Sequence, residues 1–430
     1  MGTARRVTAG GVREVPSVTC LGCGCACDDI HIITRAGRIV EARNACALGV
    51  EWFGDGVVPQ RSSIAGREVG LEDAVAAAAE TLARATRPLV YLAPDVSWDA
   101  QREAVALADV LGAALDSVTS DTAFETIIAA QERGRASATL GEVRNRADVI
   151  VFWGVDPSLR YPRYASRYAP EPAGLFVAAG RAARTVIAVD IGDARGPADA
   201  DRRVSIAPSD EVATLTALSA IVSGAPAATR RDGLWQGARD LATPLAAAKY
   251  AVIVADGERL DGSHRADVTR AGALIAVAQA LNARTRGALS TLRGGGNRSG
   301  ADAVMTWQTG YPMAVDWSSG YPRYRPYDGT ARARLSRGET DAAIVVGAVS
   351  RAPSDLMSMA SRIPAVAIGP RASESVFASR GIAVDTGVAG IHEDGTAVRM
   401  DEVPLPLRVL VESVRGAAAI TRAVREALRR

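Results

Sequence analysis

Short runs that are apolar on both faces recur along the chain, and helical patterns follow most of them. PLVYLAP (88–94), DVIVFWG (148–154), RTVIAVD (184–190), YAVIVADG (250–257), DAAIVVGA (341–348) and PAVAIG (364–369) lack the polar alternate face of a half-exposed strand. Such runs read as strands covered on both sides in a parallel sheet. LEDAVAAAAETLARAT, from Leu71, and WDAQREAVALADVLGA, from Trp98, place apolar residues at helical spacing on either side of the first run. Strand and following helix make a βα unit. The alternation predicts an α/β chain with two doubly wound domains, whose ligands sit at the carboxyl ends of strands.

Ahead of Gly66 the pattern changes. DDIHIITRAGRIVEARN (28–44) reads as two extended runs joined at the turn Ala36-Gly37, so residues 1–66 are expected to form a small cysteine-rich β module. Residues 67–120 with 245–430 are assigned to one α/β domain, and 121–244 to a second domain inserted in it. SGAPAATRRDG (223–233), rich in small and polar residues, reads as an inter-domain stretch.

A hydrophobic fraction of 48% over 430 residues is enough for several cores. The formal net charge of +2 supplies no concentrated basic face, which argues against nucleic acid and an anionic membrane surface as partners. Lys249 is the only lysine, so most Schiff-base chemistry is excluded. The opening MGTARRVTAGGVREVPSV has no apolar core of signal-peptide length, and AGALIAVAQALNA (271–283) is too short and interrupted to span a bilayer. The expectation is a cytoplasmic protein.

The chemistry is concentrated near the start. All five cysteines lie between Cys20 and Cys46, and four follow C-x2-C-x3-C-x18-C. Cys20, Cys23 and Cys27 converge from one loop, TCLGCGCACDD, and Cys46 joins from NACALG. Iron–sulfur and zinc ligation both remain open on spacing alone, although the x2 and x3 intervals suit a cubane loop better than paired zinc knuckles. Disulfides do not suit thiols this close in sequence. Cys25, between ligands, is expected to point away.

Two further segments stand out. FWGVDPSLRYPRYASRY (152–168) interleaves Arg160, Arg163 and Arg167 with Tyr161, Tyr164 and Tyr168 beside a strand end. Such a set suits phosphate or a pterin-like ring, or else a subunit contact. TLRGGGNRSGADAVMTWQTGYPMAVDWSSGYPRYRPYDGTA (291–331) reads as a long loop region, of the kind that is functional or interface-forming. It has neither a G-x-G-x-x-G nor a P-loop signature. Of the three histidines, His264 is expected in a helix-cap region and His392 in a structural role.

Over nearly its whole length the chain resembles the B-type subunit of formylmethanofuran dehydrogenase, a branch of the molybdopterin oxidoreductase superfamily. The resemblance is carried by TCLGCGCACDDI with NACALG, by WGVDPSLRYPRYASRY, by NRSGADAVMTWQTGYPMAVDWSSGYPRYRPYDGTA and by GIHEDGTAVRMDEVPLPLR (390–408). It implies a molybdopterin-oxidoreductase-like fold, without the C-terminal β-barrel usual in that superfamily, and a [4Fe–4S] cluster on Cys20, Cys23, Cys27 and Cys46. Relatives that reduce carbon dioxide set a cysteine or selenocysteine, then histidine, on molybdenum or tungsten in a segment corresponding to DSVTSDTAFETIIAAQERG (116–134). This chain has Thr122-Ala123-Phe124 there, and neither alanine nor phenylalanine can ligate.

The resemblance is therefore strongest to the bacterial formyltransferase/hydrolase complex of methylotrophs. It implies a non-catalytic subunit without molybdenum– or tungsten–pterin, partnered by amidohydrolase-like, formyltransferase and glutamate-synthase-like subunits. Such a complex passes a formyl group from formyl-tetrahydromethanopterin to a methanofuran-like carrier and hydrolyses it to formate. The competing expectation is a metal–pterin iron–sulfur oxidoreductase, and a third is a cluster-only electron carrier.

Overall fold

The computed structural model describes residues 7–8, 11–224, 233–258, 267–413 and 415–429. His264, and all of the 223–233 stretch but its ends, lie outside the described residues. The chain is mixed α/β and divides into two compact units, Met1–Thr122 with Gly294–Arg430, and Ala123–Arg293.

The first unit is built on a nine-stranded sheet. Its parallel centre runs Ala114–Ser117, Pro88–Leu92, Ala342–Val346, Ala365–Gly369, Ile382–Asp385, so the strand order reverses between Pro88–Leu92 and Ala342–Val346. Antiparallel strands extend both edges: Val315–Asp316 and Arg323–Tyr324 on one side, Ser62–Ile64 and Arg67–Glu68 on the other. The central strands are apolar on both faces because both are covered. Val90, Ile344, Val366 and Ile368 meet the helices Leu71–Ala83, Trp98–Leu111, Arg298–Thr309 and Ala417–Ala427 through Ala74, Ala104, Val304 and Val424. Leu89, Tyr91 and Val345 face a separate cluster with Leu356, Met357 and Phe377. Alanine on the helices lets them approach the sheet closely. Trp98–Leu111 starts where the Ser97 hydroxyl accepts from Ala100 N and stops at left-handed Gly112.

Ahead of this sheet lies a four-stranded antiparallel meander, Val7–Thr8, Val12–Val18, Ile30–Arg35 and Arg38–Arg43. The turn at Ala36-Gly37 has φ of 49° and 75°, positive at both positions as a type I′ hairpin turn requires. Near the other end, the hairpin Gly395–Val398 with Pro404–Leu407 packs Ala397, Leu405 and Leu407 against Leu21 and Ala26.

The second unit holds a five-stranded, wholly parallel sheet in the order Arg202–Ile206, Thr185–Ile191, Val149–Trp153, Ala251–Asp256, Gly287–Leu292. Its core joins Val151, Ile187 and Ile253 to Leu218, Leu241 and Ile275. Among the described residues no helix is long and apolar enough to cross a membrane.

All six apolar runs form strands, but the boundaries move. The inserted unit closes at 293, beyond the expected 244, because Ala251–Asp256 pairs in parallel with Val149–Trp153 and carries Gly287–Leu292 with it. The β module loses its end at 62–66, since Ile64 pairs with Ile382 in the large sheet. The 291–331 segment is not one loop: it contains the helix Arg298–Thr309, which buries Ala301, Val304 and Met305.

Candidate metal centre

The loop leaving Val12–Val18 turns back on itself, with Cys20 N donating to Cys27 O at 2.9 Å and Ala26 N to Cys23 O at 3.2 Å. Left-handed Ala26, at φ 37°, makes the reversal tight. Cys46 is the N-cap of Ala47–Phe53, so its side chain stands at that helix's start. Cys20, Cys25 and Cys27 are buried, and Cys23 and Cys46 are half-buried.

The thiols share one electrostatic neighbourhood. Burial pushes the Cys20 thiol well up, the Gly22 amide draws it down, and charge on Cys23, Cys27 or Cys46 would raise it further. Gly22 N lies 3.4 Å from Cys20 Sγ. A Cβ on Gly49 would stand 3.4 Å from Cys20 Sγ and 4.0 Å from Cys46 Sγ, so glycine keeps space open beside both. Cys25 departs from expectation: it is fully buried, and a hydrogen bond with Cys23, then burial, pushes its thiol up while Arg399 opposes. Among the described residues no group of three or more His, Cys, Asp or Glu side chains stands in a metal-holding arrangement. The donor types nonetheless fit: Cys20, Cys23, Cys27 and Cys46 are four thiols, the set that a [4Fe–4S] cluster or zinc takes, and they are the residues that would hold it.

The loop is seated where the large sheet reverses its strand order. Gly296 N donates to Leu21 O at 2.9 Å, and a Cβ on Gly295 would lie 2.4 Å from Leu21 O. Asp95, following Pro88–Leu92, gathers Arg351 Nη1 at 2.7 Å and Trp52 Nε1 at 3.3 Å. Arg351 Nη2 also reaches Gly22 O at 3.2 Å, and Asp95, ahead of Cys20 and Cys23, holds its guanidinium above its ordinary pKa. Sequence reasoning missed Asp95, Arg351 and the glycine seat. The GGG run at 294–296 is the available signal, and alone it reads only as weak evidence for nucleotide.

Beyond Ala114–Ser117, in the segment where the resemblance leads one to expect a metal ligand, a helical turn Thr119–Thr122 spends its own oxygens. The Ser120 hydroxyl donates to Asp116 Oδ2 at 2.7 Å and Thr122 Oγ1 to Val118 O at 3.0 Å. Asp121 Oδ1 accepts from Arg332 Nε at 2.5 Å, and Arg332 also holds Asp355 at 2.5 Å. Ala123 is fully buried.

The arginine–tyrosine segment is not an open platform. Tyr161, Tyr164 and Tyr168 are buried, with Tyr164 edge-on to Phe152 and to Tyr168. Arg160 pairs with Asp256, and Arg167 Nε donates to Tyr168 Oη at 3.0 Å. In 291–331, Tyr311 stacks on Tyr324 at 5.0 Å, and Tyr321 and Tyr327 are exposed. His392 is structural, as expected: Nδ1 accepts from Val388 N at 3.0 Å and Nε2 donates to Gly56 O at 2.8 Å.

No protein-family model matches the chain. It is 32% identical over 422 residues to the B-type subunit of tungsten-containing formylmethanofuran dehydrogenase 2 of Methanocaldococcus jannaschii, covering 94% of this chain and 95% of that one. The chain belongs to the family of formylmethanofuran dehydrogenase B-type subunits. The same-named protein of Methanococcus maripaludis matches at 32% over 422 residues, covering 93% and 94%. The B-type subunit of the formyltransferase/hydrolase complex Fhc of Methylorubrum extorquens is 28% identical over 371 residues, covering 84% of this chain and 96% of that one. Among solved structures, a chain of the formyltransferase/hydrolase complex FhcABCD from Methylorubrum extorquens with methylofuran matches with TM-score 0.70 and 25% identity. It covers 85% of this chain and 98% of that one. Both kinds of relative are thus matched along most of their length.

Proposed function

We propose that this chain is the B-type subunit of a cytoplasmic formyltransferase/hydrolase complex and a scaffold there, keeping a molybdopterin-oxidoreductase-like fold without its metal–pterin chemistry. The single observation behind this reading is the 116–123 segment. Thr122 and Ala123 stand where a thiolate or selenolate ligand would be needed, and the oxygens of Ser120, Asp121 and Thr122 are engaged within the protein. A soft metal held by dithiolenes is completed by a soft donor, which these residues do not supply.

The complex would move a formyl group from formyl-tetrahydromethanopterin to a methanofuran-like amine. Water then cleaves the formamide to formate and free amine, with no electron gained or lost. Transferase, amidohydrolase-like and glutamate-synthase-like subunits would be the partners. Cys20, Cys23, Cys27 and Cys46 would hold a [4Fe–4S] cluster, which would supply a one-electron couple when bound.

A second reading, a molybdenum– or tungsten–pterin oxidoreductase subunit, is favoured by the 32% identity to two tungsten-containing relatives. Anaerobic purification of the complex, with iron, sulfide, tungsten, molybdenum and pterin assayed and a reduced EPR spectrum recorded, separates the two. Iron near four per chain without tungsten or molybdenum is the expected result. Stoichiometric tungsten or molybdenum with pterin would sink the scaffold reading.

A further inference from the structure

The second unit holds two large apolar side chains out to solvent on a braced turn. Leu175 is 77% exposed and Phe176 63%. Leu175 N donates to Asn145 Oδ1 at 3.1 Å and Phe176 N to Asn145 O at 2.9 Å. A Cβ on Gly174 would lie 2.1 Å from Arg144 O, so glycine alone lets the turn sit on the end of the helix Leu140–Arg146. Beneath it, Arg184 is 4% exposed and donates to the carbonyls of Ala147, Arg144, Pro172 and Pro170 at 3.1, 2.6, 2.6 and 2.5 Å. One buried guanidinium thereby ties the helix end to the stretch leading into the turn.

Scattered exposed apolar residues are ordinary. An adjacent Leu and Phe on a turn this constrained are different, because rigidity adds nothing to two side chains left in water. It does lower the ordering cost of docking them into a pocket. The surroundings are basic: the Arg146 guanidinium lies over the Phe176 ring, 4.8 Å from its centroid, and Arg144 is exposed at the same helix end. Among the described residues neither takes part in an ion pair.

We propose that the Leu175–Phe176 turn anchors this chain to a different subunit of its complex, entering an apolar pocket rimmed by carboxylates that meet Arg144 and Arg146. A second copy is disfavoured, since a two-fold contact of this turn with itself would oppose like charges. A multi-subunit partner is supported by the solved complex to which the chain is similar. The inference rests on the reading of the chain as a complex subunit.

The test uses the full complex, co-expressed. Replacing Phe176 by the photo-crosslinker p-benzoylphenylalanine should give, on irradiation, an adduct with another subunit. The double variant Leu175→Asp with Phe176→Asp should cut recovery of the other subunits at least about tenfold, as expected for a central anchor, while the isolated chain melts as wild type does. Arg146→Glu should weaken recovery and Arg146→Lys preserve it. An adduct only with a second copy, adducts with added anionic vesicles alone, or full assembly of the double variant would each overturn the proposal. If the double variant unfolds, the adduct decides. Tungsten or molybdenum in the same preparation would overturn the scaffold reading and leave the docking result standing.

Discussion

Asp116 Oδ2 accepts the backbone N–H of Ala331 at 2.6 Å, across 215 residues of sequence. Oδ1 accepts from Ala314 N at 3.1 Å, so one fully buried carboxylate holds both ends of the 314–331 segment to the end of Ala114–Ser117. Burial pushes its pKa up to about 6, against the pull of the Ala331 amide and the Ser120 hydroxyl. Asp116→Asn replaces one acceptor oxygen with a donor that faces another donor. A loss of about 2–4 kcal/mol is expected in denaturant titration, the cost of unsatisfied buried groups. Wild-type stability would show that this carboxylate does not carry the segment.

Gly295 is the contact point between the sheet and the cysteine loop. Gly295→Ala would drive a methyl to 2.4 Å from Leu21 O and 2.8 Å from the Cys23 backbone, and both are main chain. The loop must shift, at about 1–3 kcal/mol. In metal-free protein the buried Cys20 thiol should then react faster with a thiol reagent, and an unchanged rate would speak against the seat.

The proposed ligand set separates Cys25 from the others. Cys20→Ser, Cys23→Ser, Cys27→Ser and Cys46→Ser should each reduce bound iron or zinc per chain, whereas Cys25→Ser should keep it and cost stability through its lost contact with Cys23. Elemental analysis of the anaerobic protein reads this directly. Equal loss in all five variants would redraw the set.

Glu393 Oε1 accepts from Ala417 N at 2.8 Å and so caps the helix Ala417–Ala427, whose N-cap Gly416 offers no side chain. Burial raises its pKa from the ordinary 4.5 to about 7, with the Ala417 amide opposing and Asp394 adding to the rise. A folded pKa above the unfolded one means that the folded state holds the extra proton. Relative to Glu393→Gln, wild-type stability should therefore be fully present below pH 4.5 and fall as pH rises through 7. The difference should reach about 3 kcal/mol. Melting curves of both proteins between these limits check it, and parallel profiles would refute it.

Much of this was legible locally. The run 148–154 becomes Val149–Trp153 and the turn Ala36-Gly37 closes its hairpin. Strands covered on both faces and positive-φ turns leave marks within a few residues. The tyrosines of 161–168 misled, because an alternation of arginine and tyrosine looks the same whether the rings pack inward, as here, or outward.

The sequence by itself determined the α/β alternation, the C-x2-C-x3-C-x18-C spacing of Cys20, Cys23, Cys27 and Cys46, and the lack of any later cysteine. These are matters of composition and short-range spacing. Only the tertiary structure decided that Ala251–Asp256 pairs with Val149–Trp153, that Asp95 and Arg351 support the cysteine loop, and that Asp116 binds Ala331. Strand partners and backbone approach between distant residues are set by which surfaces close over one another, and no local pattern encodes that choice.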